Sequence, residues 1–203
     1  STLVDYESRA ELTEKDPIAK AYFDRKVRKI MVATPHRYQS DVNATNFDLL
    51  QMPAAVDSMI EQPWGFNVPD ARNFCVNKAL EIGADYIFFV DDDTIIPRTA
   101  LVQLFHHLQT KDVLIAGGTY YRKYHPLESV PMFEAEDTTP YAMDGKAPIG
   151  EVLHNVLVLP SGCTLINMEV FKKMKPPYYA AFTVSGRAAV TEDTYLCQRA
   201  REL

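Results

Sequence analysis

The chain has 203 residues, 47% of them hydrophobic and 24% charged, with 27 acidic against 21 basic side chains and a formal net charge of −6. That length supports one domain with a continuous core and needs no disulfide or metal staple; the composition excludes collagen-like and disordered chains, and no apolar run reaches the ~18 residues of a membrane span. The acidic balance argues against long nucleic acid as a partner, though not against a local pocket for one phosphorylated small molecule.

No basic segment followed by an apolar stretch opens the sequence, so no secretory leader is read. Cys75, Cys163 and Cys197 stand far apart without C-x-x-C spacing. They point to reduced thiols and a cytoplasmic setting, not to zinc or a disulfide framework.

Residues 1–28 are dense in mixed charge and interrupted by Pro17, the pattern of a solvated helical extension. A single domain is expected over 29–203. Residues 29–34 (KIMVAT) read as a buried strand. A helix is expected over 71–81, with Asp70 as N-cap and Gly83 as its stop. Residues 86–90 (YIFFV) form a second strand, rich in aromatic and β-branched side chains. A helix follows over 97–108, with Pro97 at a first position that needs no N–H, and then a strand over 113–116 closed by Gly117 and Gly118. Apolar strands alternating with helices predict a mainly parallel sheet covered on both faces, an α/β sandwich.

The stretch 124–155 breaks this rhythm with Pro126, Pro131, Pro140 and Pro148 and reads as a long functional loop. Strands return over 156–159 and 163–167. A short helix over 169–174 ends before Pro176 and Pro177, a loop with Gly186 as hinge covers 178–190, and a helix closes the chain over 191–203. There is no internal repeat.

The segment 86–97 (YIFFVDDDTIIP) carries the strongest chemical signal. Ligands of open parallel sheets collect beyond the carboxyl ends of the strands, and three carboxylates stand where this strand runs out. On an extended backbone Asp91 and Asp93 project to one side and Asp92 to the other. Adjacent carboxylates repel one another and hold protons unless a cation relieves them. A hard divalent ion, Mn²⁺ or Mg²⁺, suits oxygen ligands. Helix capping explains the triplet poorly, because Pro97 in the first turn would put the cap at Ile96.

This segment resembles the D-x-D motif of GT-A glycosyltransferases, which move a sugar from a nucleotide-diphosphate donor to an acceptor. In order and spacing the likeness covers about residues 29–203, and it is greatest to family-2-like members of bacterial and viral type. The resemblance implies a GT-A type, Rossmann-like α/β/α sandwich with a mainly parallel central sheet. It implies a nucleotide-sugar-binding half over 29–123 and an acceptor half over 124–203. By the same likeness Asp91 and Asp93 would hold the metal against the donor diphosphate, Asp93 most directly, with Asp92 beside the ribose or sugar.

Three further stretches are similar to the same family. Residues 32–37 (VATPHR) resemble the first-strand exit where base and ribose dock, which nominates Thr34, Pro35 and Arg37. Residues 71–73 (ARN) resemble the helix start that closes over the base, nominating Arg72 and Asn73 beside free N–H groups. Residues 159–167 (LPSGCTLIN), followed by 169–171 (EVF), resemble the small-residue strand start lining the acceptor side.

Residues 191–197 (TEDTYLC) resemble the E-D motif of inverting GT-A enzymes, whose aspartate takes the acceptor hydroxyl proton. Asp193 is then the candidate base and Glu192 the alternative. A purely local reading stands beside it, with Thr191 as N-cap and the acids favoured in the first turn by the helix dipole. Arg187 is a candidate to close on the diphosphate.

The resemblance implies a nucleotide-sugar donor, a UDP-sugar first. The acceptor stays open among glycan, protein, lipid-linked glycan, small metabolite and modified base, as does the oligomeric state. A sugar nucleotidyltransferase is the first rival, but residues 33–41 (ATPHRYQSD) lack the glycines of its phosphate loop. P-loop and dinucleotide fingerprints are absent too. A non-catalytic nucleotide-sugar-binding module is the second, and the acids at 91–93 and 192–193 count against it. His106 and His107 are adjacent on a helix and share no face, Trp64 reads as a packing anchor, and residues 120–124 (YYRKY) offer cations and aromatics to a ligand or simply to solvent.

Overall fold

The computed structural model describes residues 28–35, 50–53, 56–61, 63, 65–111, 113–119, 132–133, 156–184 and 187–203. The charged extension up to residue 27, His36, Arg37, Trp64, residues 120–124, nearly all of 124–155 and Gly186 lie outside the described residues.

Along the chain the described elements are β1 (Arg28–Ala33), β2 (Val56–Glu61), α1 (Val68–Glu81), β3 (Tyr86–Val90), α2 (Ala100–Thr110), β4 (Ile115–Gly117), β5 (Met132–Phe133), β6 (Val156–Val158), β7 (Cys163–Asn167), α3 (Glu169–Lys173), β8 (Phe182–Val184), β9 (Arg187–Val190) and α4 (Glu192–Arg201). Five strands form one sheet in the order β2-β1-β3-β7-β4. β1 runs parallel to β2 and β3, whereas β7 runs antiparallel to both β3 and β4. The sheet is therefore mainly parallel, as expected, with one reversed strand in its interior.

Both faces of this sheet are covered. All five residues of β3 are buried, which is why the segment is apolar at every position and not only at alternate ones. Successive side chains of a strand face opposite ways. Ile87 and Phe89 join Met31 and Ala33 against Cys75, Val76 and Ala79 of α1, Val170 and Phe171 of α3 and Leu196 of α4. Tyr86, Phe88 and Val90 join Ile30 and Val32 against Leu101, Leu104 and Leu108 of α2. The result is the α/β/α sandwich of the GT-A type.

Several boundaries differ from expectation for local reasons. α1 starts at Val68 because Asn67, not Asp70, is its cap: the Asn67 side chain accepts from the Asp70 N–H at 3.0 Å. Pro69 fits the first turn, where its missing N–H costs nothing. Gly83 ends the helix region at φ +66, a backbone conformation that side chains with a Cβ disfavour. Pro97 sits in a turn before α2, its carbonyl accepting from Ala100 N–H at 2.9 Å, so the helix begins at Ala100. β4 falls two residues later than read. β2 carries no clean alternation in its sequence and was not anticipated. Residues 178–190 are not a plain loop: β8 and β9 pair antiparallel within them.

Candidate active site

Strand direction assembles the site. β1 and β3 are parallel with Ala33 opposite Phe89, so Thr34 and Asp91 leave the sheet at the same rim. β7 runs the other way and brings its beginning there, with Val90 opposite Cys163 and Asp91 N–H donating to Gly162 C=O at 3.1 Å. The turn between β6 and β7 thus lies against the acidic triplet. Gly118 N–H donates to Cys163 C=O at 2.8 Å, placing the end of β4 beside that turn. A Cβ on Gly117 would stand 2.7 Å from Leu159 Cδ2 and 2.8 Å from Thr164 Oγ1; only glycine permits this approach.

Within the triplet the backbone turns at Asp92 and Asp93, where Thr94 N–H donates to Asp91 C=O at 3.1 Å. The same-side argument for an extended run therefore does not apply. Asp91 and Asp92 are half-buried and Asp93 is exposed. A half-buried carboxylate needs a partner, and Asp91 has one. Arg72 Nη2 donates to its Oδ1 at 2.7 Å.

Arg72 is only 1% exposed. It occupies the register of Cys75, Val76 and Ala79, the buried stripe of α1. Its guanidinium carbon lies 5.3 Å from the centre of the Phe89 ring and 5.8 Å from that of Tyr179, within cation–π range. Nε is 4.0 Å from Glu192 Oε1. Burial opposes the charge. The carboxylates of Asp91 and Asp193, with Tyr179 and Glu192, outweigh it and hold the proton more firmly than usual. Nε and Nη1 are buried with no hydrogen-bond partner among the described residues.

Asn73 does a different job. Its Oδ1 accepts from the N–H groups of Tyr178 and Tyr179 at 2.9 and 3.0 Å, and its Nδ2 donates to Tyr179 C=O at 2.7 Å. It clamps the segment after α3 to α1. Since α1 starts at Val68, residues 71–73 are not a helix start with free N–H groups: Ala71 N–H already donates to Asn67 C=O at 2.9 Å. Thr34 and Pro35 are both buried, and the Thr34 hydroxyl has no hydrogen-bond partner among the described residues. Arg187 opens β9, and Arg37 lies outside the described residues.

At the start of α4 the two local readings separate. Thr191 is the cap, its hydroxyl oxygen accepting from Thr194 N–H at 3.4 Å. Asp193 instead receives a 2.6 Å hydrogen bond from the Ser161 hydroxyl to its Oδ1. Burial pushes the Asp193 carboxyl up to about 6; Arg72 and Ser161 pull the other way, while Glu192 and Asp91 add to the rise. One guanidinium therefore faces Asp91 from the triplet and the acidic pair from α4, two groups far apart in sequence. A carboxylate with its pKa near neutrality is suited to general-base chemistry.

The sequence reading places Ser161 in the stretch resembling the acceptor-side strand start without a role of its own, and gives Tyr179 none. An arginine on an otherwise apolar helical stripe is a sequence signal for a buried anionic partner, and it points to Arg72. Ser161 has no such signal, because its place depends on the reversed direction of β7.

A two-sided sandwich with an acidic triplet at a strand exit and an acidic pair at a helix start defines a GT-A type glycosyltransferase. The family description "Glycosyl transferase family 2" matches residues 58–175, more than half of the chain, and the chain belongs to that family. The matched stretch contains Asp91, Asp92, Asp93 and Ser161 and ends before Glu192 and Asp193. Among solved structures, A197 from STIV is similar over 86% of this chain and 78% of its own, with a TM-score of 0.56 and 18% identity, a likeness of fold. No curated protein matches. Among the described residues no helix is long and apolar enough to cross a membrane.

Proposed function

We propose that this glycosyltransferase moves a sugar from a nucleotide-diphosphate donor, a UDP-sugar first, to an acceptor hydroxyl with inversion at the anomeric carbon. The observation that carries the reading is the division of labour at α4. Thr191 caps the helix, while Asp193 turns inward onto Ser161 with its pKa raised to about 6.

Asp193 accepts the acceptor hydroxyl proton as the oxygen attacks the anomeric carbon from the face opposite the diphosphate. The bond from that carbon to the diphosphate oxygen breaks, and the nucleoside diphosphate leaves with the electron pair. Arg72 fixes Asp91 at the strand exit, and Phe89 and Tyr179 pack beside the guanidinium.

Asp91 and Asp93 fit a hard divalent cation as oxygen donors. One oxygen of Asp91 is already committed to Arg72, which shifts the holding toward Asp93. No group of three or more metal-binding side chains converges among the described residues. An ion held by Asp91 and Asp93 would supply charge neutralisation to the departing diphosphate.

The test is calorimetric titration of UDP, GDP and CDP, each with and without Mn²⁺, against the parent chain, Asp93→Asn and Asp193→Asn. One nucleotide is expected to bind only with metal present, to lose that binding in Asp93→Asn and to keep it in Asp193→Asn. Asp193→Asn should also lose transfer of the matching sugar. Metal-independent binding would remove the cation assignment, and full transfer by Asp193→Asn would remove the base.

A further inference from the structure

We propose that Ser161 is a positioning residue: its hydroxyl fixes the proposed base Asp193, and the turn that carries it fixes Asp193 relative to the donor-side carboxylate Asp91. The inference rests on the reading of Asp193 as base and adds the device that sets its place.

The contact is short and directed. Ser161 is 1% exposed, and its Oγ donates to Asp193 Oδ1 at 2.6 Å, within the range of a hydroxyl bound to an ionised carboxylate. One oxygen of Asp193 is thereby occupied by a fixed donor. A carboxylate held in this way has fewer rotamers available, so its remaining proton-accepting site keeps one direction.

Ser161 is itself held by a turn with little freedom. Thr164 Oγ1 donates to Pro160 C=O at 2.7 Å, across the turn. Leu159 N–H donates to Cys197 Sγ at 3.3 Å, and the Cys197 thiol lies 3.7 Å from Leu159 C=O as donor. These contacts tie the approach to the turn to α4, the helix that carries Asp193. On the other side Gly162 C=O accepts from Asp91 N–H at 3.1 Å. Three consecutive residues thus meet both halves of the site. Gly162 is bound to the backbone of the donor-side acid, Ser161 to the side chain of the acceptor-side acid, and Pro160 closes the turn between them.

Helix capping does not account for the bond, since Thr191 provides the cap. A purely structural role for the serine would affect folding and leave turnover per folded molecule unchanged. A positioning role predicts a loss in the chemical step.

The experiment uses the full chain and the nucleotide-sugar whose nucleotide binds in the titration above, with release of nucleoside diphosphate as the rate. Ser161→Ala should lower kcat roughly ten- to hundred-fold, with donor KM and nucleotide binding unchanged. Ser161→Thr, which keeps the hydroxyl, should recover part of that loss, and Asp193→Asn in the same assay should be inactive. Parent-level kcat in Ser161→Ala beside an inactive Asp193→Asn would overturn the positioning role and leave the base standing. Equal slowness of the alanine and threonine variants would also overturn it. An active Asp193→Asn would instead bring down the base assignment itself.

Discussion

Arg72 shows how one residue type, in the wrong company for its helix, reveals a site. Its neighbours in register are Cys75, Val76 and Ala79, all buried, and a cation on such a stripe is tolerated only with an anion in contact. Removing Arg72 leaves the half-buried Asp91 without its hydrogen-bonded partner, so Arg72→Ala should cost about 1–3 kcal/mol in chemical denaturation. Asp193 makes the opposite case. Its carboxyl titrates at about 6 in the fold, against 3.8 for an ordinary aspartate. Between those values the folded state binds more protons than the unfolded one, so stability falls as pH rises from about 4 to about 6 and does not return above it. Asp193→Asn should therefore melt higher than the parent at pH 8, by on the order of 1 kcal/mol. The same titration sets the acid limb of turnover: kcat/KM should drop as pH falls through about 6, measured across pH 4.5 to 8. The acids at 91–93 and 192–193 stand out in the sequence by type and by resemblance, whereas the contacts of Ser161 and Tyr179 do not, since they depend on neighbours that only the tertiary fold supplies.

The elements that position these residues were read with uneven success, and the misses have identifiable causes. β3 is buried throughout, and the run YIFFV signals that directly. The start of α1 was missed because the Asp70 side chain is the partner of the cap and not the cap itself, accepting from Asn67 Nδ2 at 2.7 Å. β8 and β9 were read as loop because three- and four-residue strands offer too little alternation to detect. The most consequential tie between elements is Asn73, whose amide satisfies three backbone groups of Tyr178 and Tyr179. That bond set holds the Tyr179 ring over Arg72. Asn73→Ala leaves two N–H donors and one carbonyl without their partner, and should cost about 1–3 kcal/mol by thermal melting. It should also weaken nucleotide binding indirectly, through the loosened Arg72. Asn73 was nominated from sequence as a contact to the base. Its amide is instead occupied in joining α1 to the segment after α3.

At the scale of the whole molecule, the sheet order β2-β1-β3-β7-β4 places two chain-distant halves on one rim. The alternation of strand and helix predicted the layers and the mainly parallel direction, but no periodicity indicates that β7 enters between β3 and β4 and points the other way. That order also governs how the protein can come into being. β3 and β4 share no edge; β7 lies between them and pairs with both, and the ribosome delivers it after residues 118–162 have already emerged. Until then the β7-facing edges of β3 and β4 stay unpaired, the condition under which intermediates self-associate. A chain stopped at residue 155 should show no cooperative melting transition by circular dichroism. The 203-residue chain should refold in milliseconds to seconds, on the order expected for non-local strand pairing. Assembly of the candidate site's rim and pairing of these two edges are then a single late event, so a newly made molecule gathers its site only when the interior of its sheet closes.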